Sequence, residues 1–484
     1  TGDFNVDSQR GNITIGNTNI FAGNLNLKAA GDIDIKSLSS LNLLGVNAQN
    51  LKIDSAGDLK ALGPVVVSGT TNLSTKANIN FASANNDINE LRVAAANDVV
   101  LSDSNNINIM GISAAGTVSV DAGGGISIGA SCVGGCVEQV NVTSGNSLRI
   151  TAIDDIQMAN TATAESVSGN VIFTGKNIAL STIKAVNGEV KTTAAGAITD
   201  NNDSATNIYA KRWVANALSG IGSGSADLSI NKNAIETEIG ILSARNAGKI
   251  LGDTSINIVN SGELTIEQLR NNGDISIANL TGDIILDNTA ENPLELNNEG
   301  RVNGGVASNK LSDAYGADLA SNGMFNPDNS DARDQGGIIN ANTGALGGTL
   351  TLTIPNGMVR ALGKHNAENP DIIANIASFN YPKNTRFSFG ERSRKIVMNI
   401  PDVYNQTAKT SSVIWYKGRK PRTIVDSSKA LSELDSMIND QLIQIEGLNE
   451  IDPAIFTSVS NYIHDEVAIL MPVDQRFDDD EYAE

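Results

Sequence analysis

The chain has 484 residues, a formal net charge of −20, 46 glycines and only 4% aromatic residues. The acidic charge argues against nucleic-acid binding, because a phosphate backbone needs a basic face, and the apolar fraction of 40% argues against disorder along most of the length. No apolar run approaches the roughly 18 residues that a membrane-spanning helix needs, so we predict no membrane span.

A short unit recurs between residues 10 and 300: a glycine, a polar residue that is usually Asn or Asp, and then an apolar–polar–apolar triplet. It reads Gly11-Asn-Ile-Thr-Ile15 near the start and returns as Gly273-Asp-Ile-Ser-Ile277. Alternation with a period of two predicts a strand with one buried face. Gly, Asn and Asp suit the corners between such strands, because they accept positive φ and form local hydrogen bonds.

The apolar positions also repeat at a fixed distance. In one series each apolar residue stands twenty positions after the one before it. The series consists of Ile13, Ile33, Ile53, Leu73 and Val93. Stacked coils of constant length require such spacing, whereas a sandwich or barrel does not repeat one short unit over so long a stretch. We therefore predict a parallel β-solenoid of about fifteen coils, which at ~4.8 Å per coil would be about 70 Å long.

The segment Gly125-Ile-Ser-Ile-Gly129 matches the nucleophile-elbow pattern of serine hydrolases. That elbow requires its serine at a sharp turn between a strand and a helix, whereas Ser127 stands between two isoleucines of a predicted strand. For a general base the chain has only His365 and His464. The sequence therefore indicates no catalytic serine.

The two cysteines, Cys132 and Cys136, enclose a valine and two glycines. So short and flexible a segment would let the two thiols close a tight ring, and we predict a local disulfide and an oxidising compartment. Two alternatives stay open. One is a metal pair, which lacks a nearby histidine or second cysteine pair, and the other is two reduced thiols on a loop.

Trp213, beside Lys211 and Arg212, allows two interpretations: an exposed platform for a sugar ring, or a ring packed in the core. We favour the packed ring, because an isolated tryptophan more often lies inside. A polysaccharide-cleaving enzyme would also need carboxylates clustered on one outer face of the coils. The acidic residues of this chain are scattered instead, mostly at the predicted corners.

Between residues 301 and 348 the alternation gives way to Gly, Asn, Asp and Ser, which predicts a loop-rich insertion. Within it, Asp328, Asp331 and Asp334 offer carboxylate oxygens of the kind that bind Ca²⁺. Their spacing is not that of an EF-hand, so a solvated acidic loop is the interpretation that we favour. We expect no cofactor, with Ca²⁺ at these aspartates as the one alternative.

Strand patterns return between residues 349 and 425, in a β-rich basic region with interleaved aromatic rings. Arginine and lysine beside aromatic rings suit an anionic polysaccharide or an acidic protein face. The candidate binding residues are Arg386, Arg392, Arg394, Lys395, Trp415, Tyr416, Lys417 and Arg419. A second interpretation, which we favour, is that these charges neutralise the acidic segment formed by residues 426–484.

Residues 426–484 predict two short helices and an acidic tail. Apolar residues between Leu431 and Ile445 share one helical face, and Asp452 and Pro453 suit the cap and the first position of a second helix. We expect the helices to cover the open end or a flank of the rod, because a terminal coil exposes unpaired backbone groups.

The repeated glycine-led units with alternating apolar residues resemble those of filamentous-haemagglutinin-like secreted exoproteins, a family that includes the two-partner-secretion adhesins of Gram-negative bacteria. The resemblance covers residues 10 to 300. It implies a right-handed parallel β-helix, export by a dedicated outer-membrane transporter, and a role in adhesion, biofilm formation or toxin presentation.

These patterns predict an all-β chain with a parallel β-helix rod over residues 1–300, about twenty residues per coil, and a mixed C-terminal region ending in two short helices. We expect a secreted bacterial surface adhesin, or a matrix or filament subunit, that binds a polysaccharide or a host or neighbouring cell surface through many weak contacts without catalysis. The alternatives are a β-helical polysaccharide lyase or hydrolase, and a fibre subunit whose rods associate end to end.

Overall fold

A computed structural model describes residues 2–18, 23–83, 85–129, 139–222, 233–246, 255–271, 273–287, 339–340, 349–361, 372–373, 376–380, 398–399, 402–404, 413–415 and 422–424. These residues form strands, turns and bends, without a helix. In this part of the chain there is accordingly no helix long and apolar enough to cross a membrane.

The strands up to residue 200 are β1 Phe4–Ser8, β2 Ile13–Thr18, β3 Asn24–Ala29, β4 Ile33–Ser37, β5 Leu41–Ala48, β6 Leu51–Ser55, β7 Leu59–Ala61, β8 Val65–Thr75, β9 Ile79–Phe81, β10 Asp87–Ala96, β11 Val99–Asp103, β12 Ile107–Ala114, β13 Val118–Ala122, β14 Ile126–Ile128, β15 Asn141–Ser144, β16 Leu148–Ala152, β17 Ile156–Met158, β18 Thr163–Ser166, β19 Val171–Gly175, β20 Ile178–Leu180, β21 Thr182–Ala194 and β22 Ile198–Asp200. The later strands are β23 Ile208–Ala217, β24 Ile235–Asn246, β25 Ile256–Asn260, β26 Leu264–Asn271, β27 Ile275–Asn279, β28 Ile284–Leu286, β29 Ile339–Asn340, β30 Thr349–Thr353, β31 Val359–Ala361, β32 Ile372–Ile373, β33 Ile376–Asn380, β34 Met398–Asn399, β35 Asp402–Tyr404, β36 Val413–Trp415 and β37 Arg422–Ile424.

The strands pair in parallel between successive coils, which makes the chain a parallel β-solenoid, as the sequence predicts. Among the described strands, only β36 and β37 pair antiparallel. The solenoid has about 12 turns, roughly 20 residues apart. At ~4.8 Å per turn this gives a rod of about 58 Å, shorter than the rod predicted from the sequence. The sense in which the coils wind stays a prediction.

The coils differ in length, and this corrects part of the predicted register. Ile13 pairs with Ile33, but Ile33 pairs with Leu51 rather than with Ile53. Ile53 instead pairs with Ile35, because that coil is two residues shorter than the one before it. Other coils are longer, since Ile126 of β14 pairs with Ile156, thirty positions later. Longer coils explain why the rod has fewer turns than predicted.

The core is a narrow column of aliphatic side chains. In β6 the buried residues Leu51, Ile53 and Ser55 alternate with the exposed Lys52 and Asp54, and most strands of the first coils follow the same pattern. One hydrophobic cluster runs through the stack from Ile13 to Ile372. The core also contains a few aromatic side chains. Those that are fully buried are Phe81, Phe173 and Trp213.

The Asn and Asp residues of the repeat form a ladder along the corners of the rod. The backbone N–H of Asn78 donates to Asp58 Oδ1 at 3.0 Å, that of Asp98 to Asn78 Oδ1 at 3.3 Å, and that of Thr117 to Asp98 Oδ1 at 2.8 Å. At the third bond the residue before Thr117 is Gly116, which leaves space for the bond, because a Cβ there would overlap the carboxylate of Asp98. The ladder gives a physical reason for the repeated unit.

Parallel pairing continues past residue 300, where we placed the end of the rod. Ile275 of β27 pairs with Leu350 of β30, and β33 and β35 pair in turn beyond it. The predicted loop-rich insertion, residues 301–348, therefore falls between paired strands of the solenoid, β27 and β30. Most of its residues lie outside the described ones. The two predicted helices and the acidic tail, within residues 426–484, lie outside them as well.

Candidate functional site

A groove of about 600 Å³ crosses the outer face of β6, β8, β10, β12 and β15. Its floor is the backbone over the buried side chains of these strands, and its sides carry polar residues from five successive coils. The outward side chains that line it include Lys52, Asp54, Asn72, Ser74, Arg92, Ser113, Asn141 and Thr143. We call this groove, with the strands that form it, the first groove.

A bulge opens the first groove between β10 and β12. Leu91 pairs with Ile109 but Arg92 pairs with Gly111, so Met110 is an extra residue without a partner in β10. On the next coil β12 has two partners: the residues before the bulge pair with β14, and those after it pair with β15. The outer face therefore divides at the bulge.

The first groove carries both signs of charge. Lys52 Nζ lies 3.8 Å from Asp34 Oδ2 on the preceding coil, and both side chains are exposed. Arg92 is half-buried, and its Nη1 donates to the carbonyl of Met110 at 3.3 Å. This bond holds the guanidinium of Arg92 against the bulge, in the wall of the first groove.

A second groove of about 550 Å³ lies on the same outer face, over β18, β21 and β23. Threonines dominate its wall, among them Thr163 and Thr182, which pair directly between coils. Lys184 and Tyr209 also line it, and Lys184 Nζ lies 5.6 Å from the centre of the Tyr209 ring. This cation–π contact places a positive charge beside an aromatic ring at the surface.

An acidic corner lies beside the second groove, where the coil after β22 widens. The fully buried Asn207 organises it: its side-chain amide donates to Asp200 Oδ1 at 2.7 Å and to Asn202 Oδ1 at 2.9 Å. The carboxamide oxygen of Asn207 accepts the backbone N–H of Glu236 at 2.9 Å. One asparagine thus connects two carboxylate-bearing segments of neighbouring coils.

Burial and, to a smaller extent, the negative charge of Asp200 together raise the pKa of Glu236 to about 7. Burial also raises the pKa of Asp200, while the hydrogen bonds from Asn207 and Asn202 lower it. Glu236 Oε2 is buried and, within the described residues, has no hydrogen-bond partner. At neutral pH the corner therefore holds a carboxyl group, that of Glu236, that can carry a proton.

A buried ionic cluster spans the coils on another side. Arg212 lies between two carboxylates, with Nη1 2.8 Å from Glu189 Oε2 and Nη2 2.9 Å from Glu267 Oε2. Ser243 Oγ donates to the same oxygen of Glu267 at 2.9 Å. Glu267 is the extra residue of a bulge, because the register of β24 on β26 shifts after Leu242. Each charged group of this cluster has an ion-pair partner within it, so we assign it a structural role.

A comparison with protein-family models finds none that matches the chain, and comparisons with curated proteins and with solved structures find no match either. The fold and the side chains must therefore carry any functional argument.

Trp213 is packed inside the rod, as the sequence analysis favoured. It is fully buried, and its Nε1 donates to Thr192 Oγ1 at 3.0 Å. Ser127 lies in the middle of β14 between the buried Ile126 and Ile128, and not at a turn between a strand and a helix. The nucleophile-elbow geometry is therefore absent at Ser127.

Most residues that the sequence nominated as sites lie outside the described residues. Of the eight candidate binding residues in the basic region, only Trp415 belongs to a described strand, β36, and the side chains of that strand are not part of the description. The others outside it are Cys132, Cys136, Asp328, Asp331, Asp334, Arg386, Arg392, Arg394, Lys395, Tyr416, Lys417 and Arg419. The disulfide, the Ca²⁺ site and the basic binding surface stay predictions. No cluster of three metal-ligating side chains occurs within the described ranges.

The sequence analysis missed both grooves and the acidic corner. Residues such as Lys52 and Arg92 occupy the outward positions of ordinary repeat units, where a polar side chain is expected whatever its role. One signal was available. The extra residue in Ile109-Met-Gly-Ile112 breaks the alternation of β12, and such a break predicts a bulge.

Proposed function

We propose that the chain is a secreted bacterial surface adhesin, or a subunit of an extracellular matrix or filament, that attaches without catalysis to a polysaccharide or a cell surface. The observation that supports this proposal is the pair of polar grooves on one outer face of a rod of about 12 turns. Neither groove is a deep enclosed pocket of the kind that surrounds a small substrate. Both suit a ligand with many similar contact points.

The architecture favours many weak contacts over one strong contact. A solenoid core fixes each coil against its neighbours, so side chains on the outer face keep a constant spacing at ~4.8 Å per coil. When one contact forms, the next one becomes intramolecular, and avidity can exceed the affinity of a single contact by about 10²–10⁴-fold. Export through an outer-membrane transporter, implied by the resemblance of the repeats, belongs to the same proposal.

The test is binding of the intact chain to a panel of neutral and acidic polysaccharides and to bacterial and host cells. We expect retention on at least one polymer, with the free monosaccharide competing at least about 10²-fold less well than the polymer because it makes one contact. The polymer should keep its length after prolonged incubation. Failure to bind any polymer or cell, or equal competition by the monosaccharide, would contradict attachment.

The acidic corner supports a second candidate, a polysaccharide hydrolase. A carboxyl with a pKa of about 7 can donate a proton to a glycosidic oxygen, so Glu236 would be the general acid and Asp200 the second carboxyl group of the site. Incubation with the same panel, followed by sizing of the products, tests this candidate. If shortened chains appear, Glu236→Gln should abolish them and Glu238→Gln, an exposed neighbour on β24, should not. Polymers of unchanged length throughout remove the hydrolase.

A further inference from the structure

We propose that the outer face joining the two grooves binds an uncharged polysaccharide, whose chain runs along the axis of the rod. The inference rests on the proposed attachment function and names its ligand class. The surface crosses four successive coils at β12, β15, β18 and β21, and we call it the uncharged track. Its outward residues, each of which lines one of the grooves, are Gly111, Ser113, Asn141, Thr143, Thr163 and Thr182.

Direct strand pairing makes the uncharged track continuous. Asn141, in the first groove, pairs with Thr163 of the second groove, which pairs in turn with Thr182. In the neighbouring outward column Ser113 pairs with Thr143. Three steps of ~4.8 Å separate the first of the four coils from the last, so the track is about 14 Å long. A polymer leaving the first groove along the axis therefore enters the second without crossing a corner of the rod.

The uncharged track differs in chemistry from the outer face of the early coils. In β4 and β6 every outward side chain is charged, and these side chains are Asp34, Lys36, Lys52 and Asp54. In β15 the two outward side chains are instead an amide and a hydroxyl, and the outward side chain after the bulge of β12 is that of Ser113. Formal charge returns only at Glu165 and Lys184, beside the far end of the track.

The cations at the two ends of the uncharged track already have partners. Lys52 Nζ lies 3.8 Å from Asp34 Oδ2, and Arg92 Nη1 donates to a backbone carbonyl. Lys184 stands opposite Glu165 on the neighbouring coil. An acidic polymer would have to compete with these contacts, and the net charge of −20 would repel it. An uncharged polymer meets neither obstacle, so the grooves select against charge in their ligand.

The polar groups of the uncharged track are available to a ligand. Among the described residues, the side chains of Ser113, Asn141, Thr143 and Thr163 have no hydrogen-bond partner, and all four are exposed or half-buried. Hydroxyl and amide groups both donate and accept hydrogen bonds, as the hydroxyls of a sugar do. The first three coils of the track can thus each offer donors and acceptors to a hydroxyl-rich chain without losing a contact of their own.

The experiment compares neutral and acidic polymers in matched pairs: hydroxyethyl with carboxymethyl cellulose, methyl-esterified with free polygalacturonate, and dextran with dextran sulfate. We expect the folded chain to bind at least one neutral polymer at least about tenfold more tightly than its acidic partner in low salt, since the net charge repels the latter. Raising the salt from about 20 mM to about 500 mM should change the affinity for the neutral polymer less than about twofold, because no charge takes part. That affinity should rise with oligomer length until the oligomer covers the ~14 Å of the track.

Two double variants with the same chemical change locate the site. Asn141→Ala/Thr163→Ala removes hydrogen-bonding groups from two coils of the track and should lower the affinity for the neutral polymer at least about tenfold. Thr14→Ala/Asn42→Ala changes an exposed threonine on β2 and an exposed asparagine on β5, outside both grooves, and should change it less than about twofold. All four side chains are exposed or half-buried, so circular dichroism and the melting temperature should stay those of the unchanged protein.

Distinct outcomes separate this inference from the proposed function. If no neutral polymer binds at least about tenfold more tightly than its acidic partner, the uncharged ligand is overturned, while binding to acidic polymers or cells leaves attachment in place. Equal losses in the two double variants, or a loss in neither, overturn the track as the binding surface. No binding to any polymer or cell overturns both proposals. Shortening of a neutral polymer overturns attachment without catalysis, and the double variants then decide whether the track holds the chain.

Discussion

Outward-facing side chains have different surroundings in the early and the late coils of the rod. In β6 the outward Lys52 and Asp54 are exposed, and each strand of the early coils presents one wet face. In β25 and β27 all five residues are buried, including the outward Asn257 and Ser276. The strands of the early coils therefore have one exposed face, whereas β25 and β27 in the late coils are buried on both faces.

The polar groups of the two regions follow this difference. In the early coils Asp34 and Lys52 form an exposed ion pair at 3.8 Å. In the late coils Arg212 lies between Glu189 and Glu267, and the outward Ser243 beside them is fully buried. Water satisfies exposed groups, but a buried charge must find its partner within the protein. The late coils consequently depend on specific pairs of polar side chains, and the early coils depend mainly on aliphatic stacking.

Asparagine shows the same contrast. Asn78, at an early corner, is exposed and connects Asp58 to the backbone of Asp98. Asn260, in a late coil, is fully buried and accepts hydrogen bonds from Thr237 and from the backbone N–H of Ile239. One residue type thus serves as a solvated corner bond in one region and as an internal connection in the other.

The largest effect should come from breaking the buried ionic cluster. Glu267→Ala leaves Arg212 and Ser243 without an acceptor that both use, so we expect a loss of about 3 kcal/mol in the free energy of unfolding, measured by urea denaturation. Asp34→Ala removes the partner of Lys52 in the exposed pair and should cost less than about 1 kcal/mol. Similar losses in the two variants would mean that the ion pairs of the late coils are as accessible to water as those of the early coils.

A smaller effect should follow from removing the internal asparagine. Asn260→Ala leaves Thr237 Oγ1 and the N–H of Ile239 buried without that acceptor, which should cost about 2 kcal/mol. Asn78→Ala, at an exposed corner where water can replace the lost bonds, should cost about 0.5–1 kcal/mol. The ratio of the two losses, from the same urea measurement, sharpens the comparison. A greater loss at Asn78 would contradict it.

The smallest effect should be a dependence of stability on pH. The pKa of Glu236 is raised from 4.5 to about 7 in the folded chain, so the folded state binds a proton that the unfolded state has released between these values. Its contribution to stability is therefore present below pH 4.5 and is lost as the pH rises through about 7.

Glu236→Gln has no proton to lose. Relative to the unchanged protein, this variant should gain stability as the pH rises from 4.5 to 8, which urea midpoints at the two pH values would measure. Glu238→Gln, on the exposed face of the same strand, provides the matched control. Parallel pH profiles for the unchanged protein and Glu236→Gln would show that Glu236 titrates in its ordinary range.

The fold could be predicted from the sequence because it depends on local repetition. Units such as Gly31-Asp-Ile-Asp-Ile35 specify a strand and a corner within five residues, and their spacing specifies the coil. The register between Ile33 and Ile53 could not be predicted, since a coil can shorten by two residues without changing the side that each residue faces.

The candidate site depends on contacts between coils, and most of it could not be predicted from the sequence. The first groove needs the bulge at Met110 and the side chains of five strands. The raised pKa of Glu236 needs its burial and the charge of Asp200, which belongs to another coil. Composition and alternation record neither contact, because both arise only after the coils stack.

The ladder of Asp58, Asn78 and Asp98 has a direction. At each step the backbone N–H of the later residue donates to the side-chain oxygen of the earlier one. At this corner the two faces of a coil are consequently unlike: one presents the side-chain acceptor and the other presents the backbone donor. A surface with this polarity is complementary to its own opposite face and not to itself, which favours head-to-tail contacts over two-fold symmetric pairing.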